Sequence, residues 1–370
     1  MTLFVKKCDR PLRTWLLVWM FLGVGCTSQY VILPDGEYDY RVPVASGEAS
    51  KAFERLLTYT VKVTWSPIYK VYHYNHDFVS DTGIRLKWPL PDSTSMTGYR
   101  LAKRDGIWTT EDTFAKVGTG LVVARTRMGE FRDAVAAVTV AHLVTAPDTL
   151  RVFLTDEQGR PTDILESMAV KEKAILYVTG RDGHNLQASV KRMDQKKDLA
   201  LLTFSTAWQD RNLRPFGFRL GRTQDLKWGN YAYVVGYPRG RAHIVGGTVS
   251  LDSMEDQFFI DALIRGGYSG GPVVVVRDGL PHLELVGICI GTLTKKVRKV
   301  LPDRFLPTGS VVTEKVLKHL YVVEEEELEF GLGFARGINS IRSFLLQSRS
   351  ELLERGIDVR ESPYLKMWGF

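Results

Sequence analysis

The chain has 370 residues, 44% of them hydrophobic and 25% charged, which fits an ordinary globular protein of one large or two modest domains with a sizeable core. Its formal net charge of +7 favours anionic surfaces, but the lysines and arginines are scattered rather than striped, which argues against nucleic acid as a partner. Three cysteines, Cys8, Cys26 and Cys289, stand too far apart for a disulfide framework or a zinc-ligand spacing, and the chemistry argued below needs neither a metal nor a cofactor.

The amino terminus reads as an export signal over residues 1–25. Lys6, Lys7, Arg10 and Arg13 precede an apolar run, 15–24, that is short for a bilayer span. Gly23-Val24-Gly25-Cys26-Thr27-Ser28 follows and resembles a bacterial lipoprotein signal. That resemblance implies lipidation of Cys26 and an envelope protein facing the periplasm; an ordinary cleaved signal peptide and an uncleaved anchor are the alternatives. Residues 26–47 are rich in Pro, Gly, Asp and Tyr and read as an extended tether.

Residues 49–57 carry helical spacing in Ala52, Phe53, Leu56 and Leu57, and Tyr59, Val61, Val63 and Trp65 alternate as a strand. From 66 to 113 the chain is aromatic and polar without a steady period, which predicts a structured insertion or a binding loop. His73 and His76 fall there with no third ligand, the pattern of surface residues rather than a metal site.

Strand character then dominates. Gly118-Thr119-Gly120 hinges a strand over 118–124, and a second, 134–140, runs into Ala141-His142-Leu143-Val144. His142 is either a satisfied core histidine or a base able to exchange a proton near neutral pH. Strands follow at 150–154, 174–178 and 186–190, with a polar turn at 156–163. Asp198 precedes the buried run 199–202; it either caps a turn or is held inside by a donor such as a histidine, whereas Asp194 lies in the polar turn. Last comes Gly266-Gly267-Tyr268-Ser269-Gly270-Gly271-Pro272, butted against Val273 to Val276. Four glycines around one serine mark a tight bend that exposes a hydroxyl and aims amide N–H groups into the same space. The letters also fit the GxSxG elbow of α/β-hydrolases. The strand signal after Ser269, and the fact that only His282 and His319 follow it, argue against that fold.

TVAHLV, DLALL and GYSGGP, in the order histidine, aspartate, serine, resemble the three catalytic motifs of trypsin-like serine proteases. The stretches 220–240, 246–250 and 286–290 are similar to the HtrA (Deg) branch. The resemblance implies an all-β fold of two packed six-stranded antiparallel β-barrels with the site in the cleft between them. It assigns the domain to 48–322, with the insertion 66–113, and leaves a C-terminal helical extension over 323–370. It makes His142 the general base and acid, Asp198 its orienter and Ser269 the nucleophile, with the amides of Gly267 and Ser269 as oxyanion donors. Tyr268 departs from the Asn or Asp common at its position. By offset, Leu263 lies at the base of the specificity pocket beside Ile290 and Gly291, which implies cleavage after small or medium aliphatic residues. A homo-oligomer is implied as well.

Residues 313–320 read as a short closing helix and Glu324 to Glu327 as a solvated linker. Phe334, Ile338, Ile341, Leu345 and Leu352 give one helical stripe that packs on its own protein, Gly356 stops it, and the aromatic end, 364–370, docks somewhere. The expected function is an exported serine endopeptidase acting on protein or peptide substrates. A catalytically quiet scaffold and an esterase are the rivals.

Overall fold

The computed structural model describes residues 34–40, 47–80, 85–88, 99–155, 161–207, 210, 213–252, 256–302, 320–357, 366 and 368. The export signal, Cys26 and the helix expected over 313–319 lie outside them.

Helix α1 (Gly47–Leu57) buries Ala52 and Leu56 and leads into β1 (Thr60–Ser80), where the odd-numbered residues from Val61 to Val71 are buried and the even-numbered ones between them stay half-buried. The first sheet continues with β2 (Arg85–Trp88), β3 (Tyr99–Thr113), β4 (Lys116–Met128), β5 (Arg132–Thr139), β6 (Thr149–Thr155), β7 (Pro161–Thr179), β8 (Asn185–Asp194) and β9 (Leu199–Ala207). Its order runs β1-β4-β5-β9-β8-β7, and β1 pairs back onto β7, closing a six-stranded antiparallel barrel. Closure removes the free edges that would otherwise seek other strands.

The described residues of 66–113 are strand, which favours the structured insertion over the loop. Beyond Trp65, β1 continues past the barrel and pairs β3 from Ile68↔Thr113 to Ser80↔Tyr99, while its other side stays on β7 as far as His73↔Ser167. Of the two histidines there, only His76 departs from the surface reading, since His73 stays partly exposed. His76 is fully buried with Nε2 bonded to the Leu165 carbonyl at 2.8 Å, and His73 stacks on Trp108 at 3.9 Å.

The second sheet comprises β10 (Arg219–Leu220), β11 (Tyr231–Gly236), β12 (His243–Leu251), β13 (Gln257–Asp261), β14 (Pro272–Val276), β15 (Leu283–Pro302) and β16 (Leu320–Gly337). Its path β15-β14-β11-β12-β13-β16 returns to β15 through the β15–β16 pairing. The β14 run of valines is buried on both faces: Val273 and Val275 join the core inside this sheet, and Val274 and Val276 join the larger core shared with the first barrel.

The C-terminal expectations need correcting. Glu324 to Glu327 form no linker; they lie in β16, in a backbone register that sets Glu327 across from Lys295, Glu326 from Lys296 and Glu324 from Arg298. Leu320 and Phe334 are strand residues, so the second sheet ends at Gly337 rather than 322. The helical stripe starts at α2 (Ile338–Gln347) and continues in α3 (Arg349–Leu353); Ile338, Ile341, Phe344, Leu345 and Leu352 are buried in the large core, and Trp368 docks there too. Gly356 stops the helix with φ +70°.

Part of the presumed tether is pinned to the second sheet. Tyr38 is 2% exposed, bridges Arg277 in a β-ladder contact and donates its hydroxyl to Glu284 at 3.0 Å.

Candidate active site

His142 sits on a 3-10 turn, Ala141–Val144, directly after β5. Ala141, Leu143 and Val144 are buried, so the turn is anchored on three sides and presents the imidazole outward, with about half of the side chain exposed. Asp198 lies just before β9 in the left-handed region, φ +54°, a conformation that Asp tolerates better than most residues. Its carboxylate grips His142 twice: Oδ2 bonds Nδ1 at 2.6 Å, and Oδ1 accepts the His142 backbone N–H at 2.8 Å. The ring is thereby fixed in orientation, with Nε2 left for a second partner. Asp194 instead caps the β8–β9 turn, accepting the amides of Lys196 and Lys197 at 3.0 Å each.

Ser269 is held through its loop's backbone. Thr119 N–H in β4 donates to the Ser269 carbonyl at 2.8 Å, and the Thr119 hydroxyl donates to the Gly267 carbonyl at 2.7 Å. Thr139, three residues before His142, donates its hydroxyl to the Thr119 carbonyl at 2.6 Å. One chain of hydrogen bonds thus ties the serine loop to the strand that carries the histidine. Gly118 is the point of closest approach: a Cβ there would come within 2.5 Å of Leu143 Cδ2 and 2.9 Å of the Ser269 carbonyl oxygen. Sequence reading took Gly118-Thr119-Gly120 only as a glycine-hinged strand. A threonine between two glycines was the available signal, but its partner is 148 residues away.

The loop requires its glycines. Gly267 has φ +107° and Gly270 φ +85°, and a Cβ on Gly270 would stand 2.0 Å from the Thr119 carbonyl oxygen. Tyr237 N–H donates to the Gly267 carbonyl at 3.0 Å, turning the peptide so that its oxygen faces into the protein. Among the described residues, neither the Gly267 nor the Ser269 amide donates to a protein acceptor, and the Ser269 hydroxyl bonds to no side chain. Tyr268, at the departing position, is buried with its hydroxyl on His243 Nδ1; burial raises its pKa.

Gly291 flanks the serine, since a Cβ on it would lie 3.8 Å from Ser269 Oγ, and Ile290 beside it is half-buried. Leu263 is 58% exposed and therefore does not form the floor of an enclosed pocket; its neighbour Ile264 is the buried residue. Next to the loop, Cys289 is a buried free thiol whose pKa burial pushes up to about 12. Among the described residues no cluster of His, Cys, Asp and Glu is suited to a metal, and no helix is long and apolar enough to cross a membrane.

Residues 118–288, the span from the glycine-hinged strand through the serine loop, match the family model of the trypsin-like peptidase domain. Over that span the chain resembles trypsin-like peptidase domains. The domain is 30% identical over 134 residues to a probable periplasmic serine endoprotease DegP-like of Chlamydia pneumoniae, covering 34% of this chain and 25% of that protein. It is 29% identical over 167 residues to serine protease HTR4 of Rattus norvegicus, covering 41% and 33%. The chain therefore spans a quarter to a third of the length of these relatives. Among solved structures, the HtrA-type protease AlgW with decapeptide aligns at 16% identity and a TM-score of 0.40 over 81% of this chain and 66% of that one.

Proposed function

We propose that this chain is a serine endopeptidase that cleaves peptide bonds through an acyl-enzyme. The observation that carries the proposal is the doubly held carboxylate on His142 beside a glycine-bent serine loop. In this reading, Ser269 Oγ attacks the scissile carbonyl carbon while His142 Nε2 takes its proton. The carbonyl oxygen becomes an oxyanion that the unengaged amides of Gly267 and Ser269 receive. His142 then returns the proton to the leaving nitrogen as the C–N bond breaks, and water repeats the cycle to free the acid. The Asp198 carboxylate orients the ring and stabilises the imidazolium. The missing bond between Ser269 and His142 fits a pair that closes when substrate arrives.

A fluorophosphonate probe is expected to label wild type but neither Ser269→Ala nor His142→Ala, with casein cleavage lost in parallel. A catalytically quiet binding protein would leave wild type unlabelled as well, and labelling with ester but no casein turnover would point to an esterase. Cleavage after small or medium aliphatic residues belongs to the same reading and, with Leu263 exposed, rests on Gly291 and the half-buried Ile290 beside Ser269; a peptide-library profile dominated by Lys and Arg at P1 contradicts it. The leader supports export to the periplasmic side of a bacterial envelope with Cys26 lipidated, in line with the periplasmic description of the Chlamydia relative. Palmitate incorporation that persists in Cys26→Ala rules the lipid anchor out. Homo-oligomer formation belongs to the same reading, and sedimentation of the purified protein tests it.

A further inference from the structure

Beside the serine loop lies a cavity of about 450 Å³ lined by Pro238, Arg239, Arg241, His243 and Arg265. Guanidinium groups gathered around one space repel each other, and elsewhere in this protein such groups hold carboxylates: Arg125 binds Asp133, Arg192 binds Glu351, and Arg277 binds Asp225 and Glu284. Among the described residues, Arg239, Arg241 and Arg265 form no ion pair. His243 brings no negative charge, and its Nδ1 is engaged by the Tyr268 hydroxyl. The result is a concentrated positive field that no carboxylate among the described residues answers with an ion pair.

The cavity adjoins the serine loop through Pro238. Pro238 is the wall against which Gly267 packs, so closely that a Cβ on Gly267 would lie 2.6 Å from Pro238 Cα. Arg265 precedes Gly267 by two residues, and Tyr268, between Gly267 and Ser269, is bonded to His243 on the cavity's other side. Arg239 is held with φ +53°, and it, Arg241 and Arg265 are all exposed to an incoming ligand.

We propose that this cavity receives an acidic side chain of the peptide substrate, close to the bond to be cut. The inference rests on the peptidase reading above and adds a substrate class to it. A carboxylate is the group the geometry suits: the planar guanidinium fork binds it through paired N–H···O bonds, and converging cations strengthen what a single exposed ion pair would leave weak.

The test is binding of two fluorescein-labelled decapeptides to the full-length Ser269→Ala protein, followed by anisotropy. Both have a Val-Ala centre; one is flanked on each side by glutamates, the other by glutamines. The glutamate peptide is expected to bind about tenfold more tightly at low salt, an advantage that shrinks as added salt screens the charges. Arg241→Gln combined with Arg265→Gln is expected to erase it, and Arg241→Glu, a second exposed change, to reverse it. Equal binding of the two peptides, or an advantage that survives in the double glutamine variant, overturns the inference. So does capture of anionic lipid vesicles through these arginines when the peptides bind alike, which would make the cavity a membrane contact. Fluorophosphonate labelling separates the two levels: a labelled protein without acidic preference sinks only the substrate class. An unlabelled protein that binds the glutamate peptide through its arginines sinks the peptidase reading and keeps the anion site.

Discussion

Asp198 combines an uncommon backbone angle with two hydrogen bonds to one histidine, and the two facts are connected. With φ at +54° the residue turns back so that both carboxylate oxygens meet the same partner, the ring and the amide of His142. Asn keeps this shape and tolerates the angle, but it presents an N–H where an acceptor is needed. Asp198→Asn is therefore expected to lower kcat by about 10⁴ while leaving the melting temperature nearly unchanged. A melting drop as large as the activity loss would assign Asp198 a purely structural role. Gly270 poses the opposite case, since its constraint is space and backbone angle together. A methyl group there overlaps the Thr119 carbonyl and the Thr139 hydroxyl, at 2.0 and 2.3 Å, and φ is +85°. Gly270→Ala should cost about 2 kcal/mol or more of stability and abolish probe labelling, read by urea midpoint and gel fluorescence.

At the scale of elements, the second sheet is clasped by the short segment 34–40. Arg277 carries much of that contact: its guanidinium bonds the Gly36 carbonyl, Asp225 at 2.9 Å and Glu284 at 3.0 Å, and stacks over the Tyr38 ring at 4.0 Å. Glu284 is only 7% exposed, so losing its cation leaves a buried carboxylate with little more than the Tyr38 hydroxyl for support. Arg277→Met is expected to destabilise the protein by about 3 kcal/mol and to open 34–40 to limited proteolysis. An unchanged cleavage pattern at that segment would show that the clasp is held by other contacts. The same logic explains why the tether expectation was only partly right. Composition marks residues 34–40 as irregular, and they are irregular; their partners lie 246 residues away for Tyr38 and Glu284.

Across the whole molecule, several weak acids are kept neutral by burial. Cys289 is pushed from an ordinary 9.0 to about 12, and Tyr38 and Tyr233 from 10.0 to about 12, desolvation leading in each. The native state binds these protons more tightly than the unfolded chain does. Their contribution is complete below the unfolded values and is lost as pH climbs from about 9 to 12. Urea midpoints should thus be level from pH 7 to 8.5 and fall steadily above pH 9; a flat profile to pH 11 would contradict this. Alkylation mapping should find Cys289 unmodified in the native protein and modified once it is unfolded.

The sequence alone determined what is local. Alternation at period two marked strands such as Tyr59 to Trp65 and Leu186 to Val190, continuous apolar runs marked 134–140 and Val273 to Val276, helical spacing marked the buried stripe at Ile338, Ile341 and Leu345, and the glycine string around Ser269 announced its own bend, because each signal is written within a few neighbouring residues. Only the tertiary structure decided which distant segments share a hydrogen bond. The described strands of 66–113 alternate imperfectly, with both Tyr72 and His73 partly exposed, and they become strand by pairing with β7 and with each other. The acidic run of β16 reads as linker until its register against Lys295 to Lys299 is known. Thr119, which holds the serine loop, shows only as a threonine between two glycines, and the arginines around the nearby cavity have no pattern in the chain, since the meaning of both comes from neighbours that folding supplies.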